Sequence, residues 1–289
     1  MKIGHLDTSE RVVIVAEIGV NHEGNMEVAH ELIGRAADAG ADAVKFQVYH
    51  TDLYVDPADT ERYERMKRFE LRPGEFTRLA NDAHRLGLAF IATPFDLPSA
   101  DLCIRICDAV KIASKDIDLW PLLERVVRSD KPMIVSTGMS DVVRVQKMLK
   151  WIYAKRGPLR EQAVLHCVSG YPVPYEQAQL REIQSLKSNY GFIAEVGYSD
   201  HTIGIDAAPL AVALGARIIE KHFTLDHNYS DFRDHAISAT PDEFALLVQR
   251  VRAAEIMLGE PVKRVQPCEQ DTIEACERER AFRVSRLTC

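Results

Sequence analysis

Two histidines stand where a barrel or sheet would bring them together: His201 follows the run GYSD, and His222 closes the run RIIEKH. Imidazoles at the ends of neighbouring strands, with a carboxylate nearby, suit a divalent ion such as Mn²⁺, Fe²⁺, Co²⁺ or Zn²⁺. The competing use of His201 is to cap a loop. Lys45 and Lys111 lie inside other apolar runs. Each offers a point charge for a phosphate or carboxylate, or an amine for a Schiff base. At or near the ends of the eight runs stand further polar residues: Glu17, Gln47, Thr93, Ser114 with Asp116, Ser136, Ser169 with Tyr171, Ser199 and Glu220. Any one of these polar ends could be a structural ion pair. Eight together are harder to ascribe to packing, because every buried charge needs a partner. The set points to a polar, charged cavity, and Ser136-Thr137-Gly138 could add backbone N–H groups for an anion at a helix start.

Such a cavity needs eight elements to build it. Short apolar runs at 12–17, 43–48, 88–93, 109–112, 132–136, 163–167, 192–196 and 217–222 predict strands. Segments with helical periodicity follow most of them, at 25–39, 73–86, 99–107, 120–129, 142–154, 177–188, 205–214 and 241–258. Pro73 in a first turn and Gly87 after a last one mark helix ends. A polar insertion at 49–72 carries a short helix near 60–68. Eight strand–helix units predict an α/β fold, a (β/α)8 TIM barrel with its active site at the C-terminal strand ends. A doubly wound open sheet is the alternative. The turn EIGVNHEGN lacks the dinucleotide glycine pattern, and no P-loop sequence occurs. Residues 1–260 are expected to form the barrel domain, and 261–289, with the charged run CERERAFR, a C-terminal tail.

With 46% hydrophobic and 27% charged residues, the chain of 289 can afford a large core, which excludes wholesale disorder. Its formal charge of −7 argues against a nucleic-acid partner. No run of 18 apolar residues exists and the first residues lack a leader pattern, so a cytoplasmic protein without a membrane partner is expected. Six cysteines (Cys103, Cys107, Cys167, Cys268, Cys276, Cys289) read as reduced thiols. The Cys103/Cys107 pair has no second pair to complete a zinc site.

The segments VAEIGVNHEGN, GADAVKFQ, ATPFD, KIAS, KPMIVSTGM, LHCVSGYPVPYE, GYSDHT and IEKHFTLD, spread over about residues 11–240, resemble the sialic acid synthase family at nearly every strand. The resemblance implies an eight-stranded barrel that condenses phosphoenolpyruvate with an N-acylated amino sugar, N-acetylmannosamine or a relative, to a nonulosonic acid with release of phosphate. It implies that Lys45, Lys111, Thr93, Ser114 and Ser136 hold phosphoenolpyruvate and that Gln47 orients it or the sugar. It implies that His201 and His222 bind Mn²⁺ or Mg²⁺, that Glu17 and Glu220 flank the reacting centre, and that Ser199 and Tyr171 contact a substrate. A homodimer is implied as well. Four departures from the family pattern stand out. Lys115 takes a glycine place, ahead of Asp116, in KIASKD; Val168 replaces a hydroxyl residue before Ser169. Only Asp234-His235 of a GPDH motif is kept, and the chain ends near where a small antifreeze-like domain would begin. In the family an arginine of that domain reaches the sugar of the partner subunit. Arg233, Arg62 or Arg65 are expected to replace it. Two rival functions share these residues: a pyruvate-dependent Schiff-base aldolase using Lys45 or Lys111, and a non-catalytic sugar- or anion-binding barrel.

Overall fold

The computed structural model describes residues 1–157 and 161–287; Cys289 lies outside them. Two compact units divide the chain, Met1–Met257 and Leu258–Cys289. In the first, eight parallel strands close a barrel: β1 (Val13–Gly19), β2 (Ala43–Val48), β3 (Ala89–Pro94), β4 (Ala109–Ile112), β5 (Met133–Ser136), β6 (Gln162–Cys167), β7 (Glu195–Asp200) and β8 (Ile218–His222). β8 pairs back with β1, with Ile218 opposite Val13 and His222 opposite Glu17. The fold is a (β/α)8 barrel, as the eight units predict.

The strands are apolar because both faces are covered, the condition that parallel sheets impose. Their alternating residues part into two cores. Outward residues such as Ile14, Val44, Phe46, Phe90 and Val110 pack under the helices. Inward residues such as Val13, Val15, Ala43, Ile91, Ile134, Leu165 and Ile218 fill the barrel. A hairpin of Lys2–Ile3 with Leu6–Asp7 adds Ile3 and Leu6 to that inner cluster. No expectation covered this hairpin, since its two-residue strands leave no periodic signal.

The seventh strand lies further along than 192–196. Phe192 is 74% exposed in the turn after the helix Glu182–Tyr190, and β7 runs to Asp200. Gly197 explains the shift: a Cβ there would sit 2.5 Å from Leu165 Cδ2 and from the Ile218 carbonyl oxygen. The bare backbone makes room for Leu165 inside the barrel, so a strand poor in large apolar side chains still packs.

The insertion after β2 holds the helices Thr51–Tyr54 and Thr60–Phe69. It is packed: Val20, Tyr49, Val55, Met66 and Phe69 form a small core of their own, flanked by Tyr54, Tyr63, Phe95 and Phe232. In the second unit, the expected tail contains a helix, Gln270–Leu287, with no buried residue.

Candidate active site

Above the apolar layers the inward positions turn polar, and a cavity of about 1000 Å³ opens over them. That is the upper end of the roughly 300–1,000 Å³ usual for small-molecule sites, enough for two small substrates. The two-residue period of the strands explains which side chains reach it. Lys45 and Gln47 face in while Phe46 faces the helices; Glu220 and His222 face in while Lys221 faces out. Lys221 is fully buried against Asp200, at 3.2 Å, so this ion pair is structural. His166 also points away from the cavity. Its Nε2 donates to the Ala178 carbonyl at 2.8 Å, and its ring stacks on Tyr198.

Four buried charges occupy the floor. Lys45 Nζ lies 3.0 Å from Glu17 Oε2 and 3.4 Å from Glu220 Oε2. Lys111 Nζ donates to Ser136 Oγ at 2.6 Å and lies 3.7 Å from Glu220 Oε1, which accepts from Ser199 Oγ at 2.9 Å. Two cations against two anions make the burial tolerable. The carboxyls respond in opposite directions. Burial raises the pKa of Glu17, only partly offset by Lys45, with Glu220 adding to the rise. Burial also works against the Glu220 carboxylate, but Lys111, Lys45 and Ser199 outweigh it and hold its pKa down to about 2. The lysines differ too. Burial lowers the pKa of Lys111, whereas Glu17 and Glu220 overcome burial and raise that of Lys45.

Next to Lys111 the chain gathers hydroxyls. The Gly138 N–H donates to Ser114 Oγ at 3.0 Å. A Cβ at Gly138 would stand 2.3 Å from Ser169 Oγ and 2.9 Å from Ser114 Oγ. Glycine is therefore what lets the Ser114 and Ser169 hydroxyls close in here, and both line the cavity with Ser136, which accepts from Lys111. Thr93 Oγ1 accepts from Lys45 Nζ at 3.3 Å and completes this side.

The opposite corner holds the histidines, with ring centroids 5.4 Å apart. His201 Nδ1–H donates to the Val168 carbonyl at 2.8 Å, which leaves Nε2 with its lone pair. Burial opposes protonation of His201, yet contact with the Cys167 thiol and the Val168 carbonyl raises its pKa. Burial and the neighbouring His201 push His222 well below the ordinary imidazole value, so it is neutral. His222 Nδ1 is buried without a hydrogen-bond partner, 4.0 Å from Asp234 Oδ2, while Asp234 Oδ1 lies 3.4 Å from Arg233 Nε. An unpartnered imidazole nitrogen with a carboxylate nearby is the donor chemistry of a divalent-ion site. Among the described residues no three His, Cys, Asp or Glu side chains converge as a complete set. The residues fit an ion whose other positions are filled by small ligands. Tyr171 closes this corner, its ring 4.3 Å from that of His201 and 4.7 Å from the Arg233 guanidinium.

Of the residues singled out from sequence, Glu17, Lys45, Gln47, Thr93, Lys111, Ser114, Ser136, Ser169, Tyr171, Ser199, His201, Glu220, His222 and Arg233 all line the cavity. Asp116 does not. It ends the short turn Ser114–Asp116, and burial raises its pKa away from the cavity, which Lys115 enters instead. Sequence reasoning missed Tyr54, Phe95, Cys167 and Glu23 as lining residues. Cys167 was detectable, since it is two residues from inward-facing Leu165 on β6.

A closed barrel with charged groups, hydroxyls and two imidazoles at its C-terminal strand ends has the architecture of a (β/α)8 enzyme. The chain belongs to the NeuB family, whose model it matches over residues 32–263. It is 44% identical to an uncharacterized protein of Methanocaldococcus jannaschii, over 94% of this chain and 80% of that one. It is 37% identical to the N,N'-diacetyllegionaminic acid synthase of Campylobacter jejuni, over 91% of this chain and 82% of that enzyme. Among solved structures, the N-acetylneuraminic acid synthetase of Leptospira borgpetersenii superposes with a TM-score of 0.86 at 36% identity, covering 95% of each chain. This chain is an enzyme of that synthase family.

Proposed function

We propose that the protein condenses phosphoenolpyruvate with an N-acylated amino sugar, N-acetylmannosamine or a related hexosamine, to a nonulosonic acid and phosphate. The observation that carries this reading is the meeting, in one ring of inward residues, of an oxyanion cradle around Lys111 and a two-imidazole corner at His201 and His222. The synthase names of its relatives agree with it.

In this reading Lys111, Ser114, Ser136, Ser169, Thr93 and the Gly138 turn hold the phosphate and carboxylate of phosphoenolpyruvate. His201 and His222 would hold Mn²⁺ or Mg²⁺, with Asp234 beside them. Such an ion, when bound, polarises the aldehyde oxygen of the open-chain sugar. Gln47, Ser199, Tyr171 and Arg233 orient the sugar so that its aldehyde carbon faces the enol carbon. A bond forms from C3 of phosphoenolpyruvate to that carbon. Water then adds at C2, and the C2–O bond to phosphorus breaks, leaving a keto acid and inorganic phosphate. Glu220 has both oxygens engaged by two lysines and Ser199, and stays an anion that balances charge. Glu17, with one oxygen accepting only a 3.4 Å bond from Gln47, is the group that takes the proton of the attacking water and returns it to the sugar oxygen. The same reading takes residues 1–260 as the synthase domain of a cytoplasmic homodimer.

The lowered pKa of Lys111 favours one second reading, a Schiff-base aldolase acting through that amine. Two assays separate them. Phosphate release from phosphoenolpyruvate should require an acylated hexosamine and Mn²⁺, and borohydride with pyruvate should leave Lys111 unmodified. Trapped pyruvate on Lys111, with no phosphate released with any hexosamine, would favour the aldolase.

A further inference from the structure

The rim of the cavity carries two cations, Lys115 and Arg62, that are held by aromatic rings. Lys115 Nζ donates to Tyr54 Oη at 2.8 Å and lies 4.0 Å from the Tyr54 ring centroid and 4.2 Å from that of Phe95. Those two rings stack at 4.5 Å with planes 9° apart. The Arg62 guanidinium lies 5.2 Å from the same Tyr54 ring. Aromatic faces thus position both cations without cancelling their charge. Neither has a carboxylate partner among the described residues, in contrast to Lys45 on the floor. One turn along the helix Thr60–Phe69, Arg65 pairs with Glu61 at 3.2 Å, but that glutamate is 91% exposed, so the pair is weak. Arg65 Nε is buried with no hydrogen-bond partner. It is a donor left open for an acceptor oxygen.

An arginine on a surface loop is ordinarily solvated, but these sit on a lid with its own core of Met66, Phe69, Tyr49 and Val55. Lys115 adds a second, independent element, the turn Ser114–Asp116 that follows β4, to the same rim. On the floor, by contrast, Lys45 and Lys111 already face Glu17 and Glu220. The unneutralised positive charge therefore lies at the mouth, beyond the reacting centre.

Building on the condensation reading, we infer that Arg62, Arg65 and Lys115 form a subsite for an oxyanion on the acceptor, and that the preferred sugar carries a phosphate or carboxylate at the end remote from its aldehyde. Arginine forks and a lysine point charge recognise either group. The alternative role of such a rim is to steer phosphoenolpyruvate inward, and it predicts a different kinetic signature.

The test compares kcat/KM for N-acetylmannosamine, its 6-phosphate and its 6-carboxylate (the uronate), with Mn²⁺ and saturating phosphoenolpyruvate. The wild type should prefer one anionic sugar over the neutral one by at least about tenfold, and the two anionic arms tell phosphate from carboxylate. R62Q/R65Q, and separately K115G, should each reduce that preference by about tenfold through acceptor KM, while KM for phosphoenolpyruvate stays within about twofold. Equal or better use of the neutral sugar overturns the subsite and leaves the condensation reading standing. A rise in KM for phosphoenolpyruvate that matches the rise for the acceptor also overturns it, in favour of steering. If no sugar supports phosphate release, the condensation reading fails and the subsite with it.

Discussion

Lys45 and Lys111 enter the cavity two strands apart, yet the structure gives them different tasks. Lys45 touches both floor carboxylates, at 3.0 and 3.4 Å, and without it Glu17 would lose its ion-pair partner while only Lys111, 3.7 Å from Glu220, remained to offset the pair. Lys45→Met should therefore destabilise the barrel by about 3–5 kcal/mol, read as a lowered urea midpoint at unchanged slope. Lys111 binds mainly a hydroxyl, so Lys111→Met should cost less stability and instead raise KM for phosphoenolpyruvate by about tenfold or more. Equal urea midpoints for the two variants would contradict this division. At the imidazole corner, His222→Ala should abolish Mn²⁺ binding in a calorimetric titration while leaving the circular dichroism spectrum intact. EDTA should abolish turnover and Mn²⁺ restore it. Most of these residues were legible in the sequence because strand ends and a period of two single them out. Asp116 was misplaced because a three-residue turn after β4 breaks that period and sends Lys115 inward. The different tasks of the two lysines depend on which carboxylates lie across the barrel, and no local spacing carries that.

Between strands, the backbone of the loop after β1 comes close to that of the lid helix. Gly24 has φ +81°, and a Cβ there would stand 2.2 Å from the Arg68 carbonyl oxygen. Both the left-handed conformation and the close approach require glycine. Gly24→Ala should push the C-terminal end of the helix Thr60–Phe69 outward. The expected outcome is a higher acceptor KM with little change in KM for phosphoenolpyruvate, whose proposed cradle lies at the ends of β4 to β6. Wild-type acceptor kinetics in this variant would show that the lid is not part of the sugar site. The lid helix itself was readable as a helical stretch inside the insertion. That it packs as a small core was not, because its partners Val20, Phe95 and Phe232 come from three other loops. β7 was misjudged for a related reason: Gly197 is explained by a side chain on β6, not by its own neighbours.

Across the whole barrel, closure of β8 on β1 sets His222 beside Glu17 and so joins the first and last strands through the site. Ligand binding and folding are then linked. Phosphoenolpyruvate at about a hundred times its Kd should add about 2.7 kcal/mol of stability, visible as a raised Tm that Lys111→Met abolishes. The central claim is that carbon–carbon bond formation and phosphate release are one reaction in this cavity. It is tested most directly with phosphoenolpyruvate labelled with heavy oxygen at the bridge between C2 and phosphorus, incubated with an acylated hexosamine and Mn²⁺. The account predicts phosphate equimolar with sugar consumed, all of the bridge label in that phosphate, and a keto acid containing the carbons of both substrates. Phosphate formed with free pyruvate and no loss of sugar, or label retained in the keto acid, would contradict it.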